Sequence, residues 1–173
     1  MSAVVPAAGL PGAGGAGFAA DAAHLARAVE LATANVAAGG GPFGAVVLLG
    51  GAEVGAGQNR VTRDNDPTAH AEVVAIRAAC AALGTFSLAG ATLYSSCEPC
   101  PMCLTASLWA RVARVVYAAD RHDAARGGFD DLAFYEMLAS DRSTWSTPVE
   151  HHVSEAAARP FDTWLASRTR VEY

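Results

Sequence analysis

Apolar residues recur along this chain at spacings that predict helices and strands in a regular order. Between positions 18 and 36 they step by three and four residues, which places them on one face of a helix: Phe18, Ala22, Leu25, Val29, Ala32 and Val36. Asp21 suits the start of this helix, and the glycines at 39–41 suit its end. Two apolar runs, 45–49 and 52–58, are joined by Gly50 and Gly51 and predict a β-hairpin.

The chain then alternates between helical and extended patterns. A polar loop at 59–69 leads to a helix with apolar positions at Val73, Ile76, Cys80 and Leu83, and Gly84 ends it. A strand at 92–95, a helix at 101–109 and a strand at 114–119 follow, then a polar stretch at 120–131 and a short helix at 132–138. This order is typical of an α/β fold in which crossover helices join parallel strands, here on a sheet begun by the hairpin.

The two ends of the chain differ in composition from the part between them. Residues 1–18 are rich in Ala, Gly and Pro and lack the positive start of a secretory signal, so we interpret them as a flexible tail. Residues 19–173 are expected to form one domain. The last thirty residues contain four aromatic side chains that should be covered, either by the chain's own core or by a partner subunit: Trp145, Phe161, Trp164 and Tyr173.

The charge of the chain favours a small substrate over a polymer. The net charge is −5, all 12 basic residues are arginine, and clustered positive charge of the kind that binds phosphate is missing. We therefore expect neither a nucleic acid nor a membrane partner. Four cysteines form no recognisable disulfide framework, and no stretch reaches the length of a membrane span, so we expect a cytoplasmic protein.

Two short motifs carry the chemistry. One is His70-Ala71-Glu72, and the other is the Cys100-Pro101-Met102-Cys103 segment. One imidazole and two thiolates suit Zn²⁺ and leave its fourth position open for a water molecule. If helices begin near Ala71 and Pro101, their positive ends favour the thiolate form of the cysteines. Glu72 is not needed as a ligand, so we expect it to move a proton between the water and a leaving nitrogen.

A closed structural site is the main alternative. Cys97, Cys100 and Cys103 are evenly spaced and could bind zinc together with His70. That interpretation gives Glu72 no role. An iron–sulfur site is disfavoured because Ser107 stands where a fourth cysteine would be needed.

Both motifs and several further segments resemble the guanine deaminases of bacteria, within the cytidine deaminase superfamily, over nearly all of residues 18–173. The matching segments are 40–46, 57–59, 65–72, 92–94 with the cysteine segment, and 124–131, of which Gly128-Phe129-Asp130-Asp131 resembles the guanine branch in particular. The resemblance implies a three-layer α/β/α sandwich with a mixed five-stranded sheet. It also implies zinc-dependent hydrolysis of guanine to xanthine and ammonia, in a homodimer whose subunits exchange C-terminal segments.

The resemblance also implies a set of site residues. Zinc ligands would be His70, Cys100 and Cys103, and the catalytic acids would be Glu72 and Asp131. Substrate contacts would come from four further positions: Phe43, Asn59, the backbone of Ala71 and Tyr173. Trp109 is added to these as a candidate for lining the pocket. Simpler roles remain open for four of these residues: Asn59 as a turn residue, Asp131 as a helix N-cap, Phe43 as apolar wall and Trp109 as core.

Other functions are compatible with the same motifs. The zinc chemistry would also serve cytosine, guanosine, an ammeline-type triazine or adenosine in tRNA. A zinc-stabilised interaction module without activity and an assembly protein built on its aromatic tail are alternatives from other classes.

Overall fold

The computed structural model describes residues 15–172; residues 1–14, most of the expected tail, and Tyr173 lie outside them. A helix opens the described part, and residues 15–18 form its first turn. The elements, in chain order, are α1 (Gly15–Ala37), β1 (Gly44–Leu49), β2 (Ala52–Gln58), α2 (Val61–Asp64), α3 (Ala71–Leu83), β3 (Thr92–Cys97), α4 (Pro101–Trp109), β4 (Arg114–Ala119), α5 (Arg121–Arg126), α6 (Asp131–Ala139), a 3₁₀ turn (Arg142–Thr144) and α7 (Arg159–Ala166).

The strands form one mixed sheet in the order β2-β1-β3-β4. β1 runs antiparallel to both β2 and β3, and β3 pairs with β4 in parallel. The helix α3 does connect two strands that run in the same direction, β2 and β3, but β1 lies between them. The described residues form four strands where five are expected, because the chain leaves β4 through two short helices and does not return to the sheet. β4 is therefore an edge strand.

Helices cover both faces of the sheet, which confirms the three-layer architecture. β1 alternates between the two layers: Ala45 and Val47 pack toward α3, whereas Val46 and Leu48 pack toward α1. Leu93 joins the first of these cores. Both faces of β1 and β3 are thus buried, as is typical of the central strands of such a fold.

The contact between α3 and β2 is unusually close because glycines face alanines. A Cβ atom at Gly57 would lie 2.2 Å from the Ala71 carbonyl oxygen, and one at Gly55 would lie 2.5 Å from the Ala75 carbonyl oxygen. The buried face of α3 is accordingly Ala71, Ala75 and Ala79 with Ile76, whereas Leu83, expected inside, is exposed. A buried face predicted from the larger apolar residues is wrong for Leu83, because the close approach of α3 to β2 leaves space only for small side chains.

The buried face of α1 is also rotated from the predicted one. Ala28, Ala32 and Asn35 are buried, while Val29 and Val36 are largely exposed. Ala28 lies inside because its backbone passes directly over Gly44, where a Cβ atom would come 2.4 Å from the Ala28 carbonyl oxygen.

Several segments expected as loops contain short helices. α2 lies within 59–69, and α5 lies within 120–131, where the side chains of Asp120 and Asp123 form a capping box. α6 begins at Asp131, one residue before its expected start, and α7 adds a helix near the C-terminus. Within residues 15–172, no helix is both long and apolar enough to cross a membrane.

Candidate active site

Three side chains of metal-binding type meet where α3 and α4 begin. His70 immediately precedes α3, and Cys100 immediately precedes α4, whose first turn contains Cys103. One ligand atom from each residue lies within 4.8 Å of the others, and Nδ1 of His70 is 3.6 Å from Sγ of Cys100. Cys97 is not part of this group; its Sγ lies 3.5 Å from the Asp120 carbonyl oxygen. Among the described residues the group has three members, so the closed four-ligand alternative is not supported.

The ionisation of the two thiols fits a bound cation. Two hydrogen bonds lower the pKa of Cys100 to about 4. The larger effect comes from the Cys103 thiol and the smaller from the His70 ring. The same contact with Cys100 raises the pKa of Cys103, since a second thiolate would sit beside the first. A divalent cation held by both cysteines would remove this repulsion and allow both thiols to ionise. The donor set therefore fits zinc with one position left for another ligand.

Glu72 lies beside this group on the first turn of α3 and is almost completely buried. Burial raises the pKa of Glu72, so its carboxyl group holds a proton more readily than an exposed glutamate does. Ser95, on β3, donates a hydrogen bond of 2.9 Å to Oε1 of Glu72. Ser95 was not predicted from the sequence, because it is 23 residues away and nothing in the pattern of a buried strand marks one serine over another.

A cavity of about 830 Å³ opens onto the metal-binding group. His70, Glu72 and Cys100 line the cavity, and its other polar lining residues include Asn59 and Asp131. Apolar side chains form most of the remaining wall, with Phe43 and Phe129 in edge-to-face contact at 4.7 Å between ring centroids. Few polar groups in a mainly apolar cleft are typical of a small-molecule site.

Asp131 is the first residue of α6 and not its N-cap, so the capping alternative is wrong. The N-cap is Asp130, whose side chain makes no capping hydrogen bond. Burial, and after it the charge of Cys100, raises the pKa of Asp131. A carboxyl group with this environment, at the wall of a cleft, is a candidate for contact with substrate.

Asn59 makes the contact of a turn residue, and its binding of a base stays a prediction. Its Oδ1 accepts a 3.3 Å hydrogen bond from the backbone N–H of Val61, as in a turn, while the residue lines the cavity. The amide of Asn35, a fully buried residue on α1, donates 2.8 Å hydrogen bonds to the carbonyl oxygens of both Gly41 and Asn59. Asn35 thus ties together the two loops that carry Phe43 and Asn59, and its place in an apolar helix pattern concealed this role.

The remaining predicted site residues differ in their positions. Trp109 lines the cavity and its side chain is 60% exposed, so the core alternative for Trp109 is wrong. Phe43 lines the cavity as apolar wall. Ala71 is fully buried between His70 and Glu72 and is not among the wall residues, so its backbone contact with a base stays a prediction. Tyr173 lies outside the described residues.

Comparison with known proteins agrees with this geometry. The family described as "Cytidine and deoxycytidylate deaminase zinc-binding region" matches residues 19–119. Guanine deaminase of Bacillus subtilis is 49% identical over 150 residues, which are 86% of this chain and 96% of that protein. An X-ray structure of guanine deaminase from Bacillus subtilis superposes with a TM-score of 0.84 and 48% identity, covering 88% of this chain and 98% of that one.

A second relative covers less of the chain. The tRNA-specific adenosine deaminase of Bacillus subtilis is 39% identical over 99 residues, which are 57% of this chain and 62% of that protein. The similarity to guanine deaminase therefore spans a larger share of both proteins. The chain belongs to the guanine deaminase family of zinc-dependent hydrolytic deaminases, within the cytidine deaminase superfamily.

Proposed function

We propose that this protein hydrolyses guanine to xanthine and ammonia. The observation that carries the proposal is that Asp131 and Asn59 line the same cavity as Glu72 and the metal-binding group. Guanine presents N1–H and its 2-amino group on one edge, and both are hydrogen-bond donors. A carboxylate at the wall is the acceptor that such an edge requires.

The reaction breaks the bond from C2 to the amino nitrogen and forms one from C2 to a water oxygen. Zinc, when held by His70, Cys100 and Cys103, supplies the Lewis acidity that makes a water molecule easier to deprotonate. Glu72 accepts the proton of that water and returns it to the departing amine, for which its raised pKa is suited. Water and guanine thus become ammonia and xanthine with no other reactant.

The other residues hold the base in place. Asp131 accepts hydrogen bonds from the donor edge, and the amide NH₂ of Asn59 is a donor for a ring acceptor, since its oxygen already binds Val61. Phe43 and Trp109 supply apolar surface on which a planar base packs. The Ala71 backbone N–H is a further donor to the base in this proposal.

The enzyme is further proposed to act as a homodimer in which C-terminal segments are exchanged. This is supported by the described residues after Trp145, nearly all of which are exposed, including the apolar side chains of Phe161 and Leu165 on α7. Trp164, 40% exposed, and Tyr173 would close the partner's cavity.

A cytoplasmic location is proposed as well, since the four cysteines are free and the metal-binding pair requires reduced thiols.

Ammonia release from guanine by the zinc-loaded protein tests the proposed activity. We expect turnover that falls about 10²- to 10⁴-fold in Glu72→Gln while zinc content is unchanged, because that glutamate carries the proton but binds no metal. Glu53→Gln, at an exposed glutamate of β2, is the matched control and should retain full activity. Guanosine, cytosine, ammeline and tRNA are assayed in parallel. Turnover of one of these without turnover of guanine would contradict the assignment of substrate.

A further inference from the structure

Helix α6 brings Asp131 to the cavity although none of its residues is fully buried. Helices of globular proteins are held mainly by packing of an apolar face, and α6 has little of that packing. Phe134 and Leu138, its two largest exposed apolar residues, face the cavity and not a core. The position of Asp131 must therefore depend on a small number of specific contacts.

Tyr135 makes one of these contacts. Its phenol donates a hydrogen bond to the carbonyl oxygen of Pro99, the residue before the metal-binding Cys100. Tyr135 and Asp131 are four residues apart and lie on the same face of α6. Burial raises the pKa of Tyr135 to about 12, so its hydroxyl remains a donor at any pH near neutral.

Arg121 supports the ring of Tyr135 from the other side. Its guanidinium carbon lies 3.6 Å from the ring centroid, which is a close cation–π contact. Arg121 is in turn bound to Glu98 through the side-chain Nε at 2.9 Å and the backbone N–H at 3.1 Å. Glu98 lies two residues before Cys100, in the loop between β3 and α4, which we call the metal-binding loop. The backbone N–H of Glu98 donates a hydrogen bond to the carbonyl oxygen of Ala119 at the end of β4.

These contacts form a closed network that runs from Glu98 through Arg121 and Tyr135 back to Pro99. We propose that Tyr135, supported by this network, is the positioning residue that holds α6, and with it the Asp131 carboxyl group, over the metal-binding loop. Tyr135 is absent from the residues that line the cavity, so its effect on the reaction passes through Asp131. This inference rests on the proposed function, in which Asp131 binds the substrate.

The test replaces Tyr135 with phenylalanine, which removes the hydroxyl and keeps the ring beneath Arg121. We expect kcat/KM for guanine to fall about ten- to a hundredfold with zinc content unchanged, because small misplacement of a positioning group is costly. In an Asp131→Asn background the same change should cost less than about twofold, since residues that act as a unit are not additive. Equal losses in both backgrounds, full activity of Tyr135→Phe, or loss of zinc would each overturn the proposal.

Tyr94→Phe is the matched control. The hydroxyl of Tyr94 also donates a hydrogen bond, of 2.7 Å to Asp21, but on the α1 side of the sheet. We expect this variant to lower the melting temperature and leave kcat/KM unchanged.

Hydrogen exchange supplies a readout that needs no substrate. Amide protons of α6 should exchange faster in Tyr135→Phe and not in Tyr94→Phe, because only the first variant frees α6. Unchanged protection of α6 in Tyr135→Phe would overturn the proposal even if activity fell. If the wild-type protein does not turn over guanine, the proposed function fails, while hydrogen exchange still decides whether Tyr135 holds α6.

Discussion

Glu72 illustrates how a buried carboxyl group is kept usable at the scale of single residues. Removal of a charged group from water is costly unless hydrogen bonds compensate for the lost hydration. Ser95 donates such a bond to Glu72, and this bond acts against the effect of burial by favouring the charged form. The pKa of Glu72 thus reflects burial, which raises it, and hydrogen bonds from its own backbone N–H, from Ser95 and from Cys103, which lower it.

Removal of the Ser95 hydroxyl should shift the pH dependence of the enzyme. In Ser95→Ala the charged form of Glu72 loses a donor, so its pKa rises further and the base is lost at a higher pH. We expect the acidic limb of the kcat/KM profile to move upward in pH, with kcat/KM about three- to tenfold lower at neutral pH and zinc retained. The measurement is ammonia release over a range of pH.

Ser96→Ala is the control for this change. Ser96 is the next residue on β3, and its Oγ accepts a hydrogen bond from the backbone N–H of Gly44. Its side chain points to the opposite face of the sheet because successive strand residues alternate. An equal shift of the acidic limb in Ser96→Ala would contradict the role assigned to Ser95.

At the scale of elements, the metal-binding group depends on how closely α3 approaches β2. The first turn of α3 carries Glu72 and follows directly from His70, and it lies on Gly57. The next turn lies on Gly55. Two glycines on one face of β2 therefore set the distance between α3 and the sheet. Gly57 does so at the metal-binding group, and Gly55 does so one helical turn farther along.

An alanine at Gly57 should disturb both stability and metal binding. Its Cβ atom would lie 2.2 Å from the Ala71 carbonyl oxygen and 2.5 Å from the Ala75 nitrogen, so the first turn of α3 must move. We expect the free energy of unfolding to fall by about 1–3 kcal/mol, the range for overpacked cores, together with weaker zinc binding. Denaturant unfolding and competition with a zinc chelator measure the two effects.

Gly55→Ala separates the two effects. It introduces a similar clash, 2.5 Å from the Ala75 carbonyl oxygen, one turn farther from His70. We expect a comparable loss of stability with little change in zinc affinity. Equal loss of zinc affinity in both variants would show that general destabilisation explains the result.

At the scale of the whole molecule, two surfaces are not covered by any other part of the described chain. β4 is one of the two edge strands of the sheet, and the cavity has an exposed rim that includes Trp109 and Phe134. The segment after Thr144 is itself largely exposed and contains α7, with Phe161 and Leu165 on its surface. Exposed apolar surfaces of this extent indicate an interaction site, which supports the proposed exchange of segments in a dimer.

A chain that ends at Thr144 should lose the closure of its site and keep its metal. We expect a monomer with normal zinc content and turnover at least about tenfold lower, because an open cavity admits water and binds the base less well. Light scattering and ammonia release measure the two properties. Full activity of the shortened protein would contradict the role of the segment.

Mixing experiments distinguish exchange from closure within one chain. The shortened chain retains Glu72 but lacks the segment, and the full-length Glu72→Gln chain has the reverse defect. If segments are exchanged, refolding the two together should restore part of the turnover. No recovery would show that each segment serves its own subunit.

The sequence by itself determined the order of the principal elements, the metal-binding residues and Glu72, because spacing along the chain decides these features. The spacing of apolar residues that predicts a helix or a strand involves only neighbouring residues. His70 and Cys100 can be recognised from short motifs at the starts of helices. Only the tertiary structure decided that β1 separates β2 from β3, that alanines of α3 face glycines, and that Ser95 and Tyr135 support the site. These relations join residues far apart in sequence, and they depend on available space and hydrogen-bond geometry, which no periodic pattern encodes.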